Sequence, residues 1–320
     1  MGESLQNVKL SVLVPAYNMA PYLAQCLDSI ITQEVNFKYQ ILIAEDCSTD
    51  NTREVARNYE EKYPGLIKVF YNAANLGPSR NLCKLIEQVN SDLFVQIDGD
   101  DYLTDSKKLQ IQADLMDQHP DCSICFHNFA TVDSNGNNSV PNSSAFNSDC
   151  ILPTDFLLYH ELGPGNIVMI RRRALPEIFP EWMYNCGFQV DYMVHCLAST
   201  EGKIYYIDKI MSAYRKHPLS VTTVTKKRYV LEMMIFNPQS LSGYYRSKGL
   251  LDEAAFFKSL APKRYMILGY FYLSEGNVFA FIYYFLKGFI KEPVLKLRDH
   301  KDMVYLASPE FAQKLKSYLR

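Results

Sequence analysis

Three carboxylates stand within four residues, Asp98, Asp100 and Asp101 around Gly99, directly behind the β-favouring run Leu93-Phe94-Val95-Gln96-Ile97. Acids this close repel one another, and a hard divalent cation such as Mg²⁺ or Mn²⁺ relieves the repulsion. Such ions are commonly held by one or two carboxylates together with substrate phosphates. Gly99 would let the backbone bend closely around the ion or its ligand. A solvated acidic turn has the same local spelling, so the rest of the chain must decide between the two.

The elements that would position these acids follow a regular plan. Leu10–Ala16 reads as a buried strand running into Tyr17-Asn18, after which Leu23, Leu27, Ile30 and Ile31 mark one helix face. Tyr39–Ala44 is a second strand ending in Glu45-Asp46, and residues 46–52 offer several N-caps for the next helix. Ile67–Phe70 is a third strand, and Asn75–Asn81 turns into a helix carrying Leu82, Leu85, Ile86 and Val89. Alternation of strand and helix predicts βαβ units, an α/β fold with a mostly parallel sheet and helices on both faces. Ligands bind such sheets at the carboxyl ends of the strands, where these polar residues recur. No Gly-x-Gly-x-x-Gly follows the first strand and no Gly-x-x-x-x-Gly-Lys-Ser/Thr occurs, which argues against ordinary dinucleotide binding and P-loop chemistry.

Beyond Lys107, Leu109, Ala113, Leu115 and Met116 predict a helix, and residues 123–132 a strand. The polar stretch 139–149 reads as a mobile loop. A strand over Ile167–Ile170 is followed by Arg171, Arg172 and Arg173, a solvated cluster or a hold for acceptor phosphate. A helix opens at Gly187–Asp191, and two short strands are expected at Ile204–Ile207 and Met211–Tyr214.

From Lys226 onward only helices are predicted, including a hairpin of two nearly all-apolar helices, Arg264–Ser274 and Val278–Phe289. This C-terminal region carries 16 Lys and Arg against 8 Asp and Glu, leaving 17 against 27 in the first 225 residues. A basic, aromatic-rich tail on an acidic body suggests an anionic partner such as a membrane surface, with Lys287, Lys291, Lys296 and Arg298 suited to the headgroup boundary. The same helices packing as a core is the competing reading.

Length and composition allow one large or two modest globular domains: 320 residues, 48% apolar and 21% charged. Eight cysteines are scattered, mostly among apolar neighbours. Cys122-Ser-Ile-Cys125 has zinc-like spacing, but no second pair completes a site. No signal segment is read at the N-terminus, Gln6 does not suit myristoylation, and no apolar run is long enough to span a bilayer. A reduced, cytoplasmic protein is expected, at most peripheral at the inner face of the cell membrane, with no nucleic-acid partner.

Side by side, five segments resemble family-2 glycosyltransferases with the GT-A, nucleotide-diphosphosugar transferase fold, of the bacterial non-processive type. They are Ser11–Asn18, Ala44–Thr52, Asn75–Asn81, Asp98–Tyr102 and Tyr214–His217, and the resemblance covers residues 8–222. Two segments depart from the common form, with Pro78 before Arg80 and Glu45-Asp46-Cys47-Ser48 in place of Asp-Asp-Gly-Ser. The resemblance implies a catalytic domain over residues 1–225 and an appended helical region over 226–320. It further implies inverting transfer of a sugar from a nucleotide diphosphosugar, usually UDP-linked, to a saccharide or polyprenyl-linked glycan acceptor.

The family's roles carry over residue by residue. Asp46 would accept the uracil N3–H, and Pro15, Ala16, Tyr17 and Asn18 would cradle the nucleotide. Asp98 with Gly99 would hold the ribose or donor sugar. Asp100, with His217, would bind Mn²⁺ or Mg²⁺, Asp101 would lie in the outer shell, and Arg80 and His217 would approach the diphosphate. Asp191 would be the general base, with Glu161 and Glu181 as further candidates. The competing structural readings are helix caps for Asp46 and Asp191, a surface ion pair for Arg80 and a loop position for His217. A non-catalytic sugar-nucleotide-binding or scaffold protein would keep Asp46 and Asp100 without needing a base at Asp191. Processive synthases are set aside, since the lone Trp182 follows Glu181 and no Gln-x-x-Arg-Trp occurs. A glycosidase would leave Asp46 and the acid cluster unexplained.

Overall fold

Leu10, Val12, Leu13 and Val14 are all fully buried, the mark of a strand covered on both faces. A computed structural model of the chain describes residues 8–318, apart from 138, 142–145, 147, 160–161, 219, 221–224 and 292–296. It separates into two compact units, Met1–Thr223 and Val224–Arg320.

The first unit is built on one sheet. In chain order its strands are β1 (Leu10–Ala16), β2 (Tyr39–Glu45), β3 (Ile67–Tyr71), β4 (Leu93–Gln96) and β5 (Tyr102–Leu103), then β6 (Cys122–Val132), β7 (Val140–Pro141), β8 (Cys150–Leu152), β9 (Val168–Arg171) and β10 (Lys203–Arg215). The order across the sheet is β3-β2-β1-β4-β9-β6-β10-β5. β3, β2, β1 and β4 are mutually parallel, joined through α1 (Leu23–Ile31), α2 (Thr52–Lys62) and α3 (Pro78–Ile86). α1 buries Leu23, Cys26, Leu27 and Ile30, the i, i+3, i+4, i+7 stripe that packs a helix on a sheet.

The second half of the sheet departs from pure βαβ winding. β9 inserts antiparallel between β4 and β6, while β10 runs parallel to β6. α4 (Lys108–Gln118), α5 (Phe156–Tyr159) and α6 (Val190–Ser199) complete this half. The two short strands expected at 204–207 and 211–214 are one strand, β10, whose pairing with β6 shifts register between Ile207 and Ile210 and again before Ser212. A bulge inserts unpaired residues and bends a strand without ending it, so a break in local pattern reads from sequence as a gap. Of the expected mobile loop 139–149, part lies outside the described residues, and Val140–Pro141 pairs with β6 as β7.

Both zinc-spaced cysteines are buried thiols of β6. Within the Arg171–Arg173 cluster only Arg173 is exposed to solvent, and all three guanidinium groups donate to the protein. Arg171 is buried and donates to the Cys122 and Met116 carbonyls and to Asp92, Arg172 donates to the Leu175 and Pro176 carbonyls, and Arg173 to that of Pro120.

The second unit holds the helices Lys227–Ser247, Leu251–Ser259, Ala261–Ser274, Val278–Phe289, Leu297–Ala307 and Pro309–Tyr318. Its core gathers Leu231, Ile235, Tyr265, Met266, Leu268 and Met303. No helix among the described residues is long and apolar enough to cross a membrane.

Candidate active site

The carboxyl ends of β1, β2 and β4 are tied together by backbone bonds. Asp46 N–H donates to the Ala16 carbonyl at 2.9 Å, Ile97 N–H to Leu13 at 2.8 Å, and Gly99 N–H to Pro15 at 3.3 Å. The loop after β1 is latched to the loop after β2. Asn18, at φ 55°, accepts from Thr49 N–H at 2.8 Å, while its own N–H donates to Ser48 Oγ at 3.1 Å. Met19 N–H donates to Thr52 Oγ1 at 2.7 Å, which continues the latch into α2. Tyr17 stands at the rim, 40% exposed.

Asp46 is buried and does not cap the helix that follows it. Its Oδ1 accepts from Asn72 Nδ2 and from Leu76 N–H, both at 2.8 Å, and its Oδ2 accepts from Gly77 N–H at 3.0 Å. An ionised carboxylate has about four lone-pair directions, so one acceptor position on Oδ2 stays open. Its neighbour Glu45 is committed to scaffolding: it accepts from Ser48 N–H at 2.6 Å and pairs with Arg53 at 2.5 Å.

The acidic turn divides its labour. Asp101 is buried, accepting from Arg215 N–H at 2.9 Å and from Asn166 Nδ2 at 2.9 Å. Asp100 Oδ2 faces His217 Nε2 at 2.9 Å, with side chains 13% and 1% exposed. Arg215 organises the surroundings, donating to the Asp100 carbonyl at 2.8 Å and to Gln25 Oε1 at 2.6 Å, with its guanidinium over the rings of Tyr22 and Tyr102. Gly99 is not where the turn needs a glycine. A Cβ there would meet Leu23 and Met19 at 3.5 Å, ordinary contact, and its φ is not left-handed, so the surrounding protein does not itself demand a glycine.

Asp98 and Asp191 meet through a residue that sequence reading passed over. Gln96, at the end of β4, donates from Nε2 to Asp98 Oδ1 at 2.8 Å and to Asp191 Oδ1 at 3.2 Å. Asp191 lies in the first turn of α6, one residue past its start and not at its cap. Desolvation pushes the Asp191 carboxyl up to about 6, against the opposing Gln96 bond. Desolvation, then the charges of Asp191 and Asp100, hold Asp98 well above the usual carboxylate range. Asp101 is raised likewise, by desolvation first and then by Asp100 and Asp98.

Arg80 projects from α3, 40% exposed, 3.6 Å from Glu181 and over the ring of Tyr184. Glu181 is itself 81% exposed. Glu161 lies outside the described residues. Among the described residues no group of three or more His, Cys, Asp or Glu could by itself hold a metal ion. The donor set at Asp100 and His217 still fits a divalent ion that takes its remaining ligands from a diphosphate and water. Gln96, Asn166 and Arg215 were missed as site residues; a polar residue in an otherwise apolar β4 was the available signal for Gln96.

Comparison with known proteins places these segments in a common frame. Residues 11–179 match the family model described as Glycosyl transferase family 2. An uncharacterized protein of Mycobacterium tuberculosis is 28% identical over 210 residues, 65% of this chain and 59% of that protein. Poly(ribitol-phosphate) beta-N-acetylglucosaminyltransferase TarS of Staphylococcus aureus is 23% identical over 218 residues, 67% of this chain and 34% of TarS. The crystal structure of TarS 1–349 with UDP superposes with a TM-score of 0.59 at 20% identity, covering 96% of this chain and 83% of that one. The mannosyltransferase PcManGT of Pyrobaculum calidifontis, solved with GDP-Man and Mn²⁺, gives a TM-score of 0.50 at 14% identity, covering 98% and 87%. The chain thus matches between one third and three fifths of the length of these curated relatives.

Proposed function

The chain belongs to glycosyl transferase family 2, and from there we propose an inverting, metal-assisted glycosyltransferase that moves a sugar from a nucleotide diphosphosugar, a UDP-sugar, to a hydroxyl of a saccharide or lipid-linked glycan. The reading is supported above all by one convergence. The Asp100–His217 pair and the Gln96-bridged acids Asp98 and Asp191 share the carboxyl edge of a GT-A-like sheet.

The acceptor hydroxyl sits at Asp191. As its oxygen bonds to the anomeric carbon, the Asp191 carboxylate takes its proton, and the bond from that carbon to the diphosphate oxygen breaks with its electron pair on the leaving nucleotide. Attack from the face opposite the leaving group inverts the anomeric centre. Asp98 orients the donor sugar or ribose. Asp46 receives the base N3–H at its open Oδ2 position, and the Pro15–Asn18 loop lines the nucleotide. Asp100 and His217 would hold Mn²⁺ or Mg²⁺, which when bound supplies charge stabilisation to the departing diphosphate. Arg80 adds a positive charge on the same side once drawn from Glu181.

We extend the reading to domain roles and place of work: residues 1–225 carry catalysis in the cytoplasm, and the helical region 226–320 brings the enzyme to an anionic membrane surface. On the helix Val278–Phe289, Val278, Phe279, Ile282, Tyr283, Leu286 and Phe289 are exposed, with Ile290 just beyond. At a helical repeat they share an arc of about 140°, an arc without a charged residue. Lys287 borders that arc, and Lys291 follows one turn on. Anionic headgroups complement this net-positive region, whereas a second copy would set like charge against like.

A panel of nucleotide sugars tests the central reading. Metal-dependent release of UDP from one of them, raised by a glycan acceptor, is the expected result. Tight nucleotide-sugar binding without turnover on any acceptor or water would favour the non-catalytic alternative.

A further inference from the structure

The amide nitrogen of Gln96 serves two acids, Asp98 two residues on and Asp191 95 residues on, across the fold. The amide turns its nitrogen toward both carboxyl oxygens, the orientation that suits two ionised, accepting partners. The two hydrogens of one NH₂ group supply one bond to each carboxylate.

Behind that amide stands Gly165. A Cβ at Gly165 would lie 2.8 Å from Gln96 Cδ and 2.9 Å from Nε2, distances that real side chains do not tolerate. Its φ is not in the left-handed region, so the position needs glycine for space and not for conformation. The next residue, Asn166, is fully buried and donates to Asp101 Oδ2 at 2.9 Å and to the Ala213 carbonyl at 3.0 Å. One 3₁₀ turn, Gly165–Ile167, therefore backs Gln96 with its first residue and Asp101 with its second.

We propose that Gln96, with Gly165 as its backstop, is a positioning residue for the transfer: it sets where the acceptor-side carboxylate of Asp191 stands relative to the donor-side carboxylate of Asp98. The proposal rests on the glycosyl-transfer reading and adds to it the group that relates the two half-sites. Two neighbouring carboxylates repel, and a shared donor is what keeps both turned inward. Without it, Asp191 is free to rotate away, and a misplacement of about 1 Å costs on the order of 10²-fold in rate. A Gln96 that served folding alone would, on removal, lower stability and leave the separation of the acids unchanged.

Two variants of the full chain probe this from opposite sides. Gln96→Met keeps the length and removes the donor; Gly165→Ala keeps the amide and pushes it from its seat. In both, kcat for transfer should fall about 10–100-fold while affinity for UDP changes by less than about threefold and Tm holds. Crystal structures of the variants should show the Asp191 carboxyl displaced from Asp98 by more than about 0.5 Å, the tolerance of a productive site. Acids that stay in place overturn the proposal, as does an unchanged kcat, or a loss of kcat that merely follows lost UDP affinity and Tm. A wild-type protein that transfers no sugar would overturn the functional reading instead, and the carboxyl displacement would still decide the role of Gln96.

Discussion

Asp100 and His217 face each other at 2.9 Å, Oδ2 to Nε2, across 117 residues of sequence. Each is anchored by a separate strand end, Asp100 behind β4 and His217 behind β10. A carboxylate and an imidazole so held can open around a divalent ion with little rearrangement of the backbone.

Asp100→Ala is therefore expected to abolish Mn²⁺- or Mg²⁺-dependent turnover, by at least about 10²-fold given the several kcal/mol of charge stabilisation a metal supplies. The fold should survive, since removing one of three clustered acids relieves repulsion. Steady-state rates and thermal melts, with and without chelator, check both halves. Wild-type turnover undiminished by exhaustive chelation would remove the metal from the mechanism.

Asp191→Asn should keep UDP binding and lose transfer by about 10²–10⁴-fold, the amide being the same size and unable to take the proton. A base works only when ionised. With its carboxyl pushed up to about 6, the transfer rate of the wild type should rise with pH through that value and level off above it. A pH–rate profile flat from 5 to 8 would place the base elsewhere, with Glu181 next to examine.

Lys108 offers a test of stability apart from the site. Its side chain is fully buried on α4, its ammonium nitrogen finds no hydrogen-bond partner among the described residues, and desolvation lowers it from 10.5 to about 7. The unfolded chain keeps this lysine protonated up to about 10, so between pH 10 and 7 it binds the proton that the folded state resists. Stability should therefore fall as pH drops through that window and change no further, on this account, below about 7. Lys108→Met should raise stability by about 1–4 kcal/mol at neutral pH, and the gap between variant and wild type should close toward pH 10. Denaturant melts across the range measure it; a destabilised variant would mean that the amine holds a partner.

The exposed face of the helix Val278–Phe289 predicts co-sedimentation with anionic phospholipid vesicles at low salt, weakened at high salt and by Phe279→Ser with Ile282→Ser. Phe279 is 89% exposed, so its replacement removes little folded-state packing. A wild-type protein that ignores anionic vesicles even at low salt would leave this face without a lipid role.

The sequence by itself determined the parallel half of the sheet. Its strands are continuous apolar runs, its helices carry a stripe of period 3.6, and both patterns are written locally. The placement of polar residues at strand ends followed, because a parallel strand must deliver its last residues to the same edge as its neighbours. Family likeness then attached roles to those residues. What only the tertiary structure decided is everything joined across long loops. Asp46 is claimed by backbone amides of Leu76 and Gly77, Gln96 reaches Asp191, and Asp101 holds the backbone of Arg215. No local period encodes such pairings, and the antiparallel entry of β9 that sets Gly165 behind Gln96 depends on which sheet edge is left open. Space, not spelling, made the difference at the two glycines: Gly99 lies amid the acids yet has room for a side chain, whereas Gly165, 66 residues later in sequence, has none.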